Sequence, residues 1–226
     1  MDANLMKNRE LQVERTIKAL AKNNIEGRFL ASAKDVVPAV KQLLKDGETV
    51  SVGGSITLSE TGVLDLLRSG TYEFLDRYAP NLENKQVEEV LHKSFFADTY
   101  FASANAVTEH GELYCVDGTS NRVAALLYGP KQVILVVSWD KIVPDLVSAI
   151  LRVKHIAAPS NARRLDIGSY CTQSGTCIRQ TVDDRNLMVL PAGACEHTVC
   201  SNYVVFSRQQ QKGRMKVLIV GESLGY

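Results

Sequence analysis

Asp117, Gly118, Thr119, Ser120, Asn121 and Arg122 stand in an unbroken row ahead of the apolar stretch Val123–Leu127. Within Asn105–Pro130 the pattern predicts a β-hairpin running into a helix whose first turn carries these six residues. An exposed helix N-terminus offers free backbone N–H groups and the positive end of a dipole, which is chemistry for holding an anion. Arg122 does not help that dipole, so it implies a local acidic partner or an anionic ligand. The plainer reading is that Asp117 and Thr119 cap, Gly118 turns, and Arg122 pairs with Glu109 or Asp117. Thr108 and Glu109 lie in the same polar cluster, and Glu109, if buried, would suit a general base or nucleophile.

A second constellation is Gly53-Gly54-Ser55, following the strand-like Glu48–Val52. Two glycines let the backbone turn closely, and Ser55 or Thr57 can cap the next helix, a geometry that suits phosphate or carboxylate. The third glycine of a dinucleotide fingerprint and the lysine of a Walker loop are both missing. The alternative is an ordinary capped turn. Lys141 follows the most β-branched segment, at the end where open α/β sheets place ligands; it is read as an anion contact or a solvated loop lysine.

The third is Cys171-x5-Cys177-x17-Cys195-x4-Cys200, with His197 inside the last pair. Four soft ligands suit tetrahedral zinc or an iron–sulfur cluster, although the spacing matches neither a CxxC ribbon nor a ferredoxin run. Gly175 and Gly193 could turn the backbone around a metal. Small buried thiols are the competing reading. Cys115 falls in a strand and reads as core.

These groups need a scaffold. Helices are expected over Leu5–Asn23, from Ser32 or Ala33 to Gly47, over Leu58–Ser69 in two pieces around Gly62, over Leu82–His92 and over Pro144–Lys154, with Pro144 in the first turn. Strands are expected at Gly27–Ala31, Glu48–Val52, Thr71–Leu75, Thr99–Phe101, Lys131–Val137 and Met215–Val220. The alternation predicts an α/β fold, a mainly parallel sheet with helices on both faces. Residues Ala157–Arg214 break the rhythm and read as an insertion or cap on a single domain.

At 226 residues, 45% hydrophobic and 23% charged, the chain can bury a core and is not of disordered composition. A formal charge of +1 gives no basic excess for nucleic acid. No apolar run approaches the roughly 18 residues of a membrane span, and the N-terminal stretch has no apolar signal core. A cytosolic protein is expected, with cysteines free, metal-bound or redox-active. A homodimer is the expected assembly, symmetric pairs being the commonest oligomers.

Taken together, Gly53-Gly-Ser-Ile-Thr-Leu58, the Asn105–Pro130 hairpin, Asp140-Lys-Ile-Val143, Arg152 and Gly221-Glu-Ser-Leu-Gly225 resemble the LUD (lactate utilization) domain family. The chain is similar to the stand-alone members of the lactate utilization protein C type. The resemblance implies a fold like ribose-5-phosphate isomerase, the CoA transferases and the formyltetrahydrofolate cyclo-ligase group. It implies a pocket at Gly53, Gly54, Ser55, Glu60, Asn105, Thr108, Glu109, Asp117, Asn121, Arg122 and Lys141. It also implies a part, accessory or catalytic, in oxidation of lactate or a related 2-hydroxy acid, beside iron–sulfur oxidoreductase subunits. Two other functions stay open: a stand-alone enzyme on a phosphorylated sugar, acyl-CoA or folate, and a redox or metal-binding protein using the late cysteines. The chain departs from the family pattern twice. Short relatives carry Cys-x5-Cys-x2-Cys, where Cys171 and Cys177 match but Gln180 takes the third place. Asp140 stands where asparagine is usual.

Overall fold

The computed structural model describes residues 2–179 and 195–226. Gln180 and Gly193 lie outside the described residues. The chain runs α1 (Ala3–Lys22), β1 (Glu26–Leu30), α2 (Val36–Lys41), β2 (Thr49–Val52), α3 (Ile56–Glu60), α4 (Val63–Leu67), β3 (Glu73–Leu75), α5 (Asn84–Lys93) and β4 (Thr99–Ala102). It continues through β5 (Ala106–Thr108), β6 (Leu113–Asp117), α6 (Asn121–Leu127), β7 (Gln132–Ser138), β8 (Ile142–Val143), α7 (Leu146–Arg152), α8 (Ala158–Arg164), α9 (Tyr170–Ser174), β9 (Asn202–Phe206) and β10 (Met215–Val220).

The uninterrupted apolar run of β7 is explained by its place in a six-stranded parallel sheet of order β1-β10-β7-β4-β2-β3. Successive side chains point to opposite faces, and both faces are covered. Val133, Leu135 and Val137 pack with Val13 and Leu20 of α1 and Val123 and Leu126 of α6. Ile134 and Val136 pack with Val36 and Val40 of α2, Leu58 of α3 and Val63 and Leu67 of α4. A strand buried on both sides has no polar face to alternate with.

From β2 the chain crosses to β3 on one side and then returns to β4 on the other. The loops that leave β2 and β4 therefore part above the C-terminal edge of the sheet, and such a switch of direction opens a crevice there.

The expected hairpin is present, with β5 and β6 antiparallel. It belongs to a second sheet of order β8-β5-β6-β9. The sequence reading had no strand at β9, which pairs with β6 from Leu113–Phe206 to Asp117–Asn202. One hairpin face (Val107, Leu113, Cys115) joins the core under α1. The other (Ala106, Tyr114, Val116) packs on Ala149 and Ile150 of α7 and on Val153.

Two helices depart from expectation. The one read as reaching Gly47 consists of a 3-10 turn at Ala33–Asp35 and α2, which ends at Lys41. The one read as Pro144–Lys154 starts at Leu146, because the Asp145 side chain accepts from Ser148 N and caps it instead of Pro144. It then continues through a π turn at Val153–Ala157 into α8. Pro159 in the first turn of α8 has no N–H to give to the preceding turn, and a widened turn accommodates that loss. Among the described residues no helix is long and apolar enough to cross a membrane.

Candidate functional site

A cavity of about 780 Å³ opens above the C-terminal edge of the parallel sheet. Its floor is Gly54–Thr57 after β2, Ser103–Asn105 after β4, and Lys141 after β7. Val116–Thr119, Asn121 and Arg122 form one wall, Asn161, Arg164 and Ile167 another, and His197–Val199 a third, while Arg77, Tyr78 and Tyr226 complete the lining. Ser55 accepts from Leu58 N at 3.3 Å and caps α3, as the turn chemistry predicts. Gly53 itself lies beneath the lining. A Cβ there would stand 2.9 Å from Arg122 Cγ and 3.1 Å from Tyr100 Oη, so the glycine makes room for the arginine stem that crosses it.

Arg122 is the tie of this site. Nη1 donates to Ser103 O at 2.8 Å, and Nη2 donates to Val116 O at 2.7 Å and to Asn105 Oδ1 at 3.0 Å. The same Asn105 oxygen accepts Val116 N at 2.9 Å. One guanidinium thus fastens the loop after β4 to the end of β6. Its Nε lies 3.6 Å from Asp117 Oδ2, which also accepts from Val123 N at 3.0 Å. Asp117 is the acidic partner that the sequence left open, and it caps α6; Ser120 holds a left-handed conformation and makes no side-chain cap. With these donors committed, Arg122 offers a ligand its field more than a free fork.

Lys141 is buried, 2% exposed. Its Nζ donates to Thr57 Oγ1 at 3.2 Å and Ser103 Oγ at 3.1 Å. Among the described residues no carboxylate pairs with it. Burial lowers its pKa to about 7, helped by the charges of Arg152 and Arg122 and opposed by Glu60. Arg152, itself lowered by burial, donates to Asn105 O at 2.7 Å and Asp140 O at 3.2 Å. An amine with such a pKa exists in both protonation states near neutrality, which suits proton transfer, imine formation or capture of a carboxylate.

Charge around the cavity is lopsided. Arg77, Arg122, Lys141 and Arg164 line it, against Asp117 as the carboxylate among the described lining residues. Arg77 carries its guanidinium 5.3 Å from the Tyr78 ring centroid, and its buried Nε has no hydrogen-bond partner among the described residues.

Gly54, Ser55, Asn105, Asp117, Asn121, Arg122 and Lys141 are thus brought together, while four other expected residues lie elsewhere. Glu60 accepts Gly225 N at 2.7 Å and tethers the segment after β10 over α3. Gly225 has φ +55° and sits so close that a Cβ would lie 2.5 Å from Thr57 Oγ1. Glu60 therefore acts at one remove from the cavity, and Gly53 beneath it. Thr108 donates to Glu112 Oε2 at 2.8 Å inside the hairpin turn. Glu109 accepts from Gln12 Nε2 and Arg15 Nε, each at 2.9 Å, on the side of α1. The reason is the direction of β5, which starts at the cavity near Asn105 and carries Thr108 and Glu109 roughly 10 Å away at about 3.3 Å per residue. Asp140 also faces away, paired with Arg9 at 3.6 Å and accepting from Ser223 Oγ, so the exchange of asparagine for aspartate adds no carboxylate to the lining. Ser103, Arg77 and Arg164 were missed, while Thr57 was read only as a helix cap and His197 only with the late cysteines; of the missed residues Ser103 alone had a usable signal, its place just beyond a parallel strand.

Beside this cavity lies a second of about 20 Å³, lined by Cys171, Cys177, Cys195 and Cys200 together with Lys154 and Tyr203. All four thiols are free, as is Cys115, which is buried in β6. Burial and the thiols of Cys177, Cys171 and Cys195 push Cys200 up to about 12. Among the described residues no three His, Cys, Asp or Glu side chains stand ready-placed as metal ligands. Thr198 and Val199 line both cavities.

The crystal structure of a DUF162 family protein from Deinococcus radiodurans is similar over 94% of this chain and 98% of that one, at 15% identity and a TM-score of 0.51, a likeness of fold. The crystal structure of eIF2B beta from Chaetomium thermophilum matches 52% of this chain and 44% of that one, at 17% identity and a TM-score of 0.35, too partial to bear on function. No curated protein matches. The LUD domain model matches residues 13–220, and the chain therefore belongs to the LUD domain family and is, at that level, related to lactate utilization.

Proposed function

We propose that the cavity above the parallel sheet binds a small organic anion, foremost lactate or a related 2-hydroxy acid or its 2-oxo counterpart, in the service of lactate utilization. The observation that carries this reading is Lys141, a buried amine held by two hydroxyls with no carboxylate partner among the described residues. The basic excess of the lining and the unpartnered Arg77 Nε support it. A substrate carboxylate would supply the negative charge that the site lacks. Oxidation of a 2-hydroxy acid releases two electrons and two protons; Lys141, with a pKa of about 7, suits uptake of the hydroxyl proton. The two electrons and the second proton, both from the C2–H bond, would pass to the acceptor of an iron–sulfur oxidoreductase partner, with this chain acting as its accessory or catalytic subunit.

The volume favours a second reading. Lactate would fill a small part of about 780 Å³, and cavities of roughly 300–1,000 Å³ commonly enclose drug-sized ligands. A phosphorylated sugar, acyl-CoA or folate acted on by this chain alone would use Arg77 and Arg164 as well as Lys141. Calorimetric titration and thermal shift with lactate, pyruvate, ribose 5-phosphate, a CoA ester and a folate separate the two readings. A ligand at a hundred times its Kd stabilises by about 2.7 kcal/mol. Silence from the whole panel, or an unchanged response in Lys141→Met, would overturn the anion site.

A further inference from the structure

Cys171, Cys177, Cys195 and Cys200 come from two separate stretches of chain and meet at one small cavity. Cys171 sits on α9. Gly175 caps that helix in the left-handed conformation at φ +77°, which reverses the chain and brings Cys177 back toward Cys171. Cys177 N then donates to Lys154 O at 3.2 Å. Cys195 and Cys200 flank the turn that leads into β9. That turn is pinned, since Cys200 N donates to Thr198 Oγ1 at 2.8 Å and Tyr203 Oη donates to Cys200 O at 2.5 Å. Four free thiols with fixed backbones around one void are more than scattered core cysteines would produce.

We propose that these four cysteines form a binding site for a single thiophilic divalent cation, zinc by its chemistry, which locks the Cys195–Cys200 turn against α9. The size of the void selects a single ion. About 20 Å³ holds one water-sized atom, whereas a cubane iron–sulfur core would force the walls apart. The thiols ring the void and do not yet stand at ligand distance, so binding requires their inward rotation to Zn–S separations of about 2.3 Å. Each thiol gives up its proton to solvent as the metal–sulfur bond forms, and no electron is transferred. A centre of one zinc and four thiolates carries a net charge of −2. The fully buried Lys154, whose ammonium donates to Arg179 O at 2.8 Å, lines the same wall and complements that charge.

Such a site would also organise the larger cavity. Thr198 and Val199 belong to both linings, and His197 faces the anion side. Metal occupancy would then hold one wall of the anion site in place. This consequence rests on the proposed anion site; the metal site itself does not.

The test uses the full chain, purified in reductant without chelator and titrated with Zn²⁺ against a chromophoric chelator, and separately with Co²⁺. Expected are about one metal per chain and a Co²⁺ spectrum with thiolate charge-transfer and tetrahedral ligand-field bands. Cys177→Ser and Cys195→Ser, at the less buried positions, should weaken Zn²⁺ binding at least tenfold. If either variant fails to fold, the stoichiometry and Co²⁺ spectrum of the unaltered chain decide alone. A sub-stoichiometric metal content, an octahedral Co²⁺ spectrum, a brown iron–sulfur protein, or undiminished binding in a folded Cys195→Ser would each overturn the proposal. Repeating the lactate and ribose 5-phosphate titrations with and without Zn²⁺ reads the coupling separately, so an inactive anion panel leaves the metal result standing.

Discussion

Lys141 Nζ and Ser103 Oγ stand 3.1 Å apart, joining the end of β7 to the end of β4 beneath the cavity. Thr57 completes the cradle, and neither hydroxyl brings the negative charge that a buried ammonium would ordinarily demand. The arrangement is costly to the protein as it stands.

Stability should therefore depend on pH in a particular direction. The folded-state pKa of Lys141 is lowered to about 7, below the usual lysine value of 10.5. Between these values the unfolded chain binds more protons than the folded one, so stability rises with pH across that window and gains nothing from this group below it. Urea unfolding at pH 7, 8 and 9 should show a rise that Lys141→Met flattens. Equal slopes in the two proteins would refute the assignment.

Lys141→Met should leave the fold intact, with stability near pH 7 unchanged or raised by about 1 kcal/mol, because an unpaired buried amine is replaced by a chain of similar length. Affinity for the bound anion should fall at least tenfold by calorimetry. Lys141→Arg should not rescue it, since a guanidinium overfills the space between Thr57 and Ser103.

Arg122 should behave in the opposite way. Arg122→Ala strands the carbonyls of Ser103 and Val116, both now satisfied by the guanidinium. The expected cost is about 3–5 kcal/mol in urea unfolding. Arg122→Lys keeps the charge but loses the fork, and should recover less than half of that.

Glu109→Gln is the control for placement. Its partners are Gln12 and Arg15 on α1, so ligand affinity should not change, and stability should drop by no more than about 1 kcal/mol. A clear loss of binding or turnover would bring Glu109 back to the site.

Gly53→Ala sets a methyl group against Arg122 Cγ and Tyr100 Oη, at 2.9 and 3.1 Å. Overpacking of this kind costs about 1–3 kcal/mol, and chemical denaturation should find the loss. Paired with Arg122→Ala in a double-mutant cycle, most of that cost should disappear.

Much of this was legible in the residues because it depends on local patterns. The apolar run of β7 announced a doubly covered strand, and the Gly53-Gly54-Ser55 turn announced a capped helix at a sheet edge. The hairpin was legible too, but not which of its ends met the cavity. Asn105 and Glu109 are close in sequence and at opposite ends of β5, so one polar cluster was read where there are two. Ser103 escaped, and Thr57 was read only as a helix cap, because a small hydroxyl carries no periodic signature; their role comes from the lysine that reaches them from another strand. The meeting of the cysteines depends on a reversal at Gly175 and on β9 pairing with β6, both long-range events. Asn202–Phe206 is too short to announce itself as a strand without its partner.

The strand order has a further consequence, for synthesis. β10 lies between β1 and β7, with Glu26 opposite Lys216 and Met215 opposite Val133. During translation, β1 has no neighbour to pair with until β10 emerges, although β1 is made long before it. The nascent chain must wait with β1 unpaired and one edge of β7 uncovered. An unpaired edge of this kind is open to wrong partners, so translation stalled before Met215 should leave a chain prone to aggregate.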